Sequence, residues 1–384
     1  MRVALVHDWV IGMRGGERVL DEFAGLYPNA DLYTLFHAHG TTTNRIDRLR
    51  IHSSGLSRLP GAHRYYRALL PLFPRAIERF RLKGYDLVIS ISHAVAKGVR
   101  VEPSTTHLCY CLTPMRYVWD QADVYLGRGI RRAMARPLIQ YLQQFDVRTS
   151  TPDRVTRFTA ISHTVADRIR HCYDRDANVV FPPVDLDRIH PNGLPPEDFF
   201  LLVGAFVPYK LGSIAIEAFR RVGLRLIVVG DGPGRSQMAR RAPPNIEFVG
   251  WVSDEALAGL YARCRALVFP SEEDFGLVPV EVQAAGRPVI AFGRGGACES
   301  VVELKSESAQ RQPATGIFFA RQTPESLAEA IGRFAKREGV FDPRAIRANA
   351  ERFGGVHFRN GIRREVTRAI EDGSARNHGE SGSG

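Results

Sequence analysis

Short, unbroken runs of aliphatic and β-branched residues recur along this 384-residue chain, and stretches of helical periodicity separate them. Strands are expected at 3–6, 87–91, 107–111, 158–161, 178–181, 199–203, 225–229, 246–249, 266–269 and 288–291. Helical patterns at 16–25, 213–220, 254–263 and 278–285 fall between them. Strand–helix alternation of this kind makes parallel sheets with right-handed crossovers. The runs are continuously apolar, as in strands covered on both faces. The fold class expected is therefore α/β, with doubly wound sheets.

A proline-rich segment, PPVDLDRIHPNGLPPED, lacks a periodic apolar face and reads as a break between domains. A fresh strand, FFLLVG, follows it. Two doubly wound domains are expected, 1–190 and 198–354, joined by a linker at 191–197. Ligands of such sheets sit beyond the carboxyl ends of the strands, which points to a site in a cleft between the two. The last helix, 355–372, repeats apolar residues at Phe358, Ile362, Val366 and Ile370 and is expected to brace both domains. The tail 373–384 is low in complexity and expected to be disordered.

No apolar run approaches the roughly 20 residues needed to span a bilayer. The N-terminus has neither the apolar length nor the cleavage site of a secretory signal, so the chain reads as cytoplasmic. Cys109, Cys111, Cys172, Cys264 and Cys298 form no metal-binding or disulfide pattern and read as small buried hydrophobes.

The net charge of +11 is unevenly spread. Residues 48–83 carry many arginines, among them Arg64, Arg67, Arg75 and Arg79, against the single acid Glu78, with aromatic and aliphatic residues interleaved. A second basic stretch, 128–136, has arginines and no acid. Either the surface meets a polyanion, such as a phosphorylated substrate or an anionic membrane, or it is a solvated helix face. No nucleic-acid-binding module appears, and nucleic acid is not an expected partner.

The segment 269–291, FPSEEDFGLVPVEVQAAGRPVIA, is chemically the richest. A strand ends, an acidic loop follows, and a helix opens with Pro279 in its first turn, where proline fits. The amides of Phe275, Gly276 and Leu277 then make an anion site at the helix N-terminus. Glu273 and Glu281, eight apart, supply carboxylates of the kind that accept paired sugar hydroxyls. Two such glutamates arise by chance as a loop charge and a helix N-terminal charge. The strand–loop–helix setting is what separates the readings.

In that setting the segment resembles the donor-binding signature of glycosyltransferase family 4, retaining enzymes of the GT-B architecture. Glu273 and Glu281 match its E-x7-E motif. VPYK (207–210), VVGDGP (228–233) and NIEFVGWVSDEAL (245–257) follow the family's order and spacing. HDWVIGMRGGERVL, YDLVISISHAVAKGV and CYCLTPMRYVWD resemble a bacterial subgroup, often mannosyltransferases, that builds cell-surface polysaccharides. The likeness covers about residues 1–340.

The resemblance implies a GT-B fold, two Rossmann-like domains facing a central cleft, with acceptor binding in the first and nucleotide-sugar binding in the second. It implies that Glu281 holds the ribose, Glu273 contacts the transferred hexose and Lys210 pairs with the diphosphate. Glu273, Lys210 and His93 are the implied catalytic residues. Gly15, Gly16, Gly204, Lys210, Gly230, Gly232, Trp251, Glu273, Phe275, Gly276, Leu277 and Glu281 are implied to line the donor. Arg64, Arg67, Arg75, Arg79 and Arg116 face the acceptor or membrane. The expected partners are a GDP- or UDP-linked sugar and a lipid-linked or glycan acceptor, with neither cofactor nor metal. Alternatives stand beside these roles: a surface lysine for Lys210, a plain tight turn for Gly12–Gly15–Gly16, and a locally satisfied strand-end histidine for His93.

Two positions depart from the family's pattern. Ala205 stands where an arginine usually joins the lysine, and Leu112 stands where the subgroup commonly has histidine. A lost charged hydrogen bond to diphosphate costs on the order of 1.5–3 kcal/mol, unless Arg14 or Arg116 compensates. Three functions follow: a retaining hexosyltransferase, with mannose from GDP-mannose as the guess; a weak or inactive GT-B protein that binds a nucleotide sugar and partners an active transferase; and a Rossmann oxidoreductase, against which the missing G-x-G-x-x-G counts.

Overall fold

The computed structural model describes residues 1–119, 130–305 and 311–380. The chain forms two compact units, Met1–Pro183 with the returning C-terminal helix, and Val184–Gly355.

In the first unit, β1 (Val3–His7), β2 (Asp31–Thr34), β3 (Arg50–Ser53), β5 (Leu87–Ser92), β7 (Thr106–Cys111), β8 (Arg157–Ala160) and β9 (Ala177–Val179) form one sheet. Its order is β3-β2-β1-β5-β7-β8-β9, and every pairing is parallel. β4 (Arg81–Leu82) and β6 (Arg100–Val101) make a separate parallel pair. Every residue of β1, β5 and β7 is buried, which is why these strands are unbroken apolar runs. Val6, Phe36, Phe73, Val88, Met115 and Phe145 belong to the core on one side of this sheet. The register sets His7 opposite Ile91 and Ser92 opposite Cys111, so the segments after β1, β5 and β7 emerge side by side.

In the second unit, β10 (Phe200–Val203), β11 (Leu226–Val229), β12 (Ile246–Gly250), β13 (Leu267–Phe269), β14 (Val289–Phe292) and β15 (Gly316–Phe319) form a parallel sheet ordered β12-β11-β10-β13-β14-β15. Phe200, Phe219, Val228, Val268, Ile290 and Phe334 belong to its core. Val203 pairs with Val229, which brings the turns after β10 and β11 to one edge.

The chain passes between units at Pro183–Val184, so residues 191–197, expected as a linker, lie inside the second unit. They are tied there: Arg287 donates to Leu194 O (2.7 Å), and Glu197 N donates to Arg263 O (2.7 Å). The last helix, Gly355–Glu380, belongs to the first unit. Phe358, Ile362 and Val366 are buried as the periodicity requires, whereas Ile370 is exposed and Ala369 is buried beside it. Phe358 meets Phe23 and Tyr110 edge-on, and Arg157 pairs with Glu365 (2.9 Å) and Asp372 (2.8 Å).

The tail expected to be disordered from 373 is corrected in part, because the same helix continues to Glu380. Gly373 allows close packing there. A Cβ on it would stand 2.8 Å from Thr106 Oγ1. Residues 381–384 lie outside the described residues. No helix among the described residues is long and apolar enough to cross a membrane.

Candidate functional site

In the second unit the chain leaves β13 through Pro270 and reaches the helix Leu277–Ala284 by way of Gly276, whose φ of 85° is a left-handed conformation suited to glycine. Among the described residues no side chain caps this helix start. Glu273 forms an ion pair with Lys210 and accepts from Ser271 Oγ at 2.8 Å. Both partners are partly exposed, with side-chain accessibilities of 26% for Lys210 and 19% for Glu273. Lys210 closes the short 3-10 turn Pro208–Lys210, and Gly204, Ala205, Phe206, Lys210 and Ser271 line one small cavity.

The loop that presents Glu273 rests on a glycine turn that sequence reasoning missed. Gly296 N donates to Glu273 O at 2.8 Å, and a Cβ on Gly296 would lie 2.2 Å from Phe275 Cα. The doubled glycine in GRGG (293–296) was the available signal. Phe275 is buried and packs on Phe353 at 5.5 Å. Gly276 is buried beside it, while Leu277 is half-buried.

Glu281 is buried, with 7% exposure, and accepts from Tyr261 Oη at 2.7 Å. It stands in the second turn of the helix, which opens at Leu277. Trp251 is 79% exposed just past β12. Gly230 and Gly232 have a packing reason of their own. A Cβ on Gly230 would stand 2.0 Å from Gly204 O, and one on Gly232 would stand 2.7 Å from Phe206 N. The turns after β10 and β11 therefore lie backbone against backbone, joined by Phe206 N donating to Asp231 O (3.0 Å).

In the first unit, Asp8 follows β1 and is completely buried. Its carboxylate accepts from four successive amides: His93 (2.8 Å), Ala94 (3.0 Å), Val95 (2.6 Å) and Ala96 (2.7 Å). His93 Nδ1 stands 3.1 Å from Asp8 Oδ2. Burial alone would protonate Asp8, but the His93 charge and the donated hydrogen bonds outweigh it and hold the carboxyl well below the usual range. Burial likewise opposes the His93 cation, yet the Asp8 charge leaves its pKa above the ordinary imidazole value. His7 is buried too; its Nδ1 lies 2.8 Å from Ile91 O, and burial lowers its pKa. Sequence reasoning passed over Asp8 and His7, although both stand in the quoted HDWV motif.

Gly15 and Gly16 open the helix Gly15–Leu26. A Cβ on Gly16 would lie 3.1 Å from Leu112 Cδ1 and 3.2 Å from His7 Cε1, so Leu112 packs directly on this helix start. Arg64, Arg67, Arg75 and Arg79 are exposed along 62–79, near the exposed Leu59, Tyr65 and Leu72. Arg116 is half-buried. Of the second basic stretch, residues 128 and 129 and the side chains of 130–133 lie outside the described residues.

The structure thus brings Lys210 and Glu273 together, sets Gly204, Gly230 and Gly232 at the adjoining turns, and groups His93, Gly16 and Leu112 in the other unit around His7 and Asp8. Chemically, the second unit offers a cation, a carboxylate and an uncapped helix start at one sheet edge. The first offers a histidine whose pKa a buried aspartate raises against the cost of burial.

Residues 197–337 match the family model described as glycosyl transferases group 1. The O-antigen chain mannosyltransferase C of Escherichia coli is 37% identical over 149 residues, 37% of this chain and 38% of that protein. The D-inositol 3-phosphate glycosyltransferase of Mycobacteroides abscessus is 27% identical over 246 residues, 57% of this chain and 53% of its own length. The matched region thus spans about half or less of these curated relatives. Among solved structures, Anabaena Alr3699/HepE in complex with UDP superposes with a TM-score of 0.69 at 17% identity, over 96% of this chain and 100% of that one. Its likeness establishes the fold: two Rossmann-like α/β units of the GT-B class.

Proposed function

We propose that this chain is a retaining hexosyltransferase, which moves a hexose from a nucleoside diphosphate sugar to a lipid-linked or polysaccharide acceptor in cell-surface glycan synthesis. The observation that carries this reading is the Lys210–Glu273 ion pair, three residues ahead of the uncapped helix start at Gly276. An arriving diphosphate competes for Lys210, while the first amides of the helix Leu277–Ala284 meet its remaining oxygens. Glu273, released by its lysine and still held by Ser271, then accepts from hydroxyls of the hexose. Charge grows on the diphosphate as the glycosidic bond breaks, and the cation and amides stabilise it more in the transition state than before it.

In the same reading Glu281 accepts from the ribose with Tyr261 as its supporting donor, and Trp251 offers an exposed indole to the base. Mannose from GDP-mannose is the donor we favour, supported by the partial match to a mannosyltransferase. The transfer itself uses no metal and no cofactor. The first unit takes the acceptor, with His93 and Arg116 as polar contacts, and the arginines of 62–79 rest on an anionic membrane surface at its cytoplasmic side.

The deciding experiment is a thermal-shift screen of nucleotide sugars, followed by transfer assays with and without EDTA. A donor at 100 times its Kd raises stability by about 2.7 kcal/mol, and transfer continues in EDTA. No stabilisation by any nucleotide sugar would overturn the reading, and complete dependence on a divalent cation would overturn its metal-free chemistry.

A second reading rests on Ala205, exposed where the lysine's cationic neighbour is missing, and on Leu112, packed at Gly16. It makes the chain a donor-binding partner that does not turn over. Saturable donor binding without transfer or hydrolysis across acceptors is its signature.

A further inference from the structure

We infer that His37, His39 and Asp47 form a binding site for a divalent transition-metal ion of the zinc class. One ring nitrogen from each histidine and one carboxylate oxygen lie within 4.8 Å of one another. The site belongs to the first unit and stands apart from the residues assigned above to donor chemistry.

The arrangement follows from the local backbone. The chain past β2 pairs once more, Val10 bridging His37 in parallel, with Val10 N donating to Phe36 O (2.8 Å) and Ala38 N donating to Val10 O (2.9 Å). The chain turns immediately after this bridge, at His39 and Gly40, and the two imidazoles stand edge-on with centroids 6.1 Å apart. Asp47 closes the short helix Asn44–Asp47 and brings its carboxylate to the same place.

His37 Nε2 is the second, independent observation. Among the described residues it is shielded from solvent and has no hydrogen-bond partner, and the nearest carboxylate oxygen, Asp47 Oδ1, is 4.0 Å away. Buried polar atoms are normally satisfied, and an unsatisfied one calls for an occupant such as an ion. Neighbours already hold the donor set in place. Thr42 Oγ1 donates to Asp47 Oδ1 (2.8 Å), His37 N donates to Ser57 Oγ (3.3 Å), and Thr41 Oγ1 donates to Ala38 O (2.7 Å). Such outer bonds orient ligands and add to affinity.

Two imidazoles and one carboxylate suit zinc, cobalt or nickel, and are poor ligands for magnesium or calcium, which prefer oxygen. With ligand bonds of about 2.0–2.1 Å, tetrahedral donors stand about 3.3 Å apart. Closing to that spacing asks most of His39, which is exposed and has room to move. Water completes the shell. The bound ion ties the 37–43 loop to the helix before it reaches Ser57, next to the strand extension at Val10.

The test uses the full chain, stripped with chelator and titrated with Co2+ as the probe, without donor or acceptor. Wild type takes up a single equivalent, with the strong visible absorption of four-coordinate cobalt, and Zn2+ displaces it. Thr42→Val weakens binding by about tenfold, Asp47→Asn weakens it further, and His39→Ala abolishes the band. His39 is exposed, so its variant folds, which far-ultraviolet circular dichroism and an unchanged metal-free melting temperature would establish. Absence of the absorption band from wild type would overturn the inference. Equal cobalt affinity in wild type and His39→Ala would do so too.

Discussion

Asp8 and His93, 85 residues apart, are joined twice: His93 N donates to Asp8 Oδ2 at 2.8 Å, and the imidazole Nδ1 stands 3.1 Å from the same oxygen. The turn carrying His93 is therefore built on the carboxylate. Asp8→Asn removes a charge that satisfies four amides and faces some of them with an NH2 group. We expect a loss of about 3 kcal/mol, in the range for hydrogen bonds to charged groups, measured by chemical denaturation. The sign with pH follows from both groups. His93 has a raised pKa, so its contribution is fully present below the unfolded value near 6.5 and disappears as pH rises through the folded one. Asp8 has a lowered pKa, so its contribution is present above the unfolded value near 3.8 and decays as pH falls below it. Titration of His93 by NMR should show its pKa falling in Asp8→Asn.

Lys210 and Glu273 are paired before any donor arrives, so their single variants should differ. In the proposed transferase, Lys210→Ala would remove the cation for the leaving diphosphate, and kcat should fall by roughly 10- to 150-fold, the equivalent of a charged hydrogen bond of 1.5–3 kcal/mol. In the same reading, Glu273→Gln would free Lys210 for the diphosphate and weaken the grip on the hexose. Binding of the bare nucleoside diphosphate should be kept or improved while transfer drops. Calorimetry with diphosphate and sugar-diphosphate ligands separates the two, and equal weakening of both ligands in Glu273→Gln would contradict the assignment.

Ala205 is exposed after Gly204, so an arginine there meets no packing penalty. If the transferase reading holds, Ala205→Arg supplies a second cation, and kcat/KM should rise by about tenfold, corresponding to roughly 1.4 kcal/mol. An unchanged rate would show that the neighbouring Lys210 already suffices.

Gly230→Ala tests packing alone. At φ 126° an L residue is strained, and the new Cβ would stand 2.0 Å from Gly204 O. Strain of this class costs about 1–3 kcal/mol, with the clash added. The second unit should lose at least several degrees of melting temperature. Tolerance of alanine would mean that the turns after β10 and β11 do not touch.

The strands buried on both faces were readable because unbroken apolar runs have few other uses; β1, β5, β7, β10, β11 and β13 all lie within a residue or two of expectation. β2 and β3 were missed for the converse reason. They lie toward the sheet's edge, with burial that is alternating or only partial, and their sequences, DLYT and RIHS, carry no continuous signal. The helix Pro324–Arg337 was passed over despite a Thr323 cap and a proline at its start, both visible in the sequence. In the candidate site, Lys210, Glu273 and Gly276 were singled out by resemblance to a family's motifs, and the structure sets the first two in one ion pair and the third at the helix start. Asp8 under residues 93–96 and Tyr261 beneath Glu281 were not, since both depend on strand register and helix placement rather than on nearby sequence. The glycines at 230 and 232 stood out, yet their spacing alone could not tell backbone packing from ligand contact.

His107 offers a pH prediction independent of any ligand. Burial pushes its pKa down to about 4, and its two ring nitrogens are committed: Nδ1 lies 2.7 Å from Arg154 O and Nε2 lies 2.9 Å from Ser90 Oγ. A carbonyl can only accept, so the proton sits on Nδ1 and Ser90 donates to Nε2. Protonating Nε2 would force Ser90 to turn its hydroxyl and accept, and would place a charge inside the sheet. In the unfolded chain the same imidazole titrates near 6.5, so acid favours unfolding once pH drops below that value, and the penalty stops growing below about 4. At about 1.4 kcal/mol per pH unit, the full effect is on the order of 3 kcal/mol. His107→Gln retains hydrogen-bonding groups without the charge. Its stability should fall less steeply than wild type between pH 6.5 and 4, measured as denaturation midpoints across that range. Parallel pH profiles for the two proteins would show that His107 is not the group responsible.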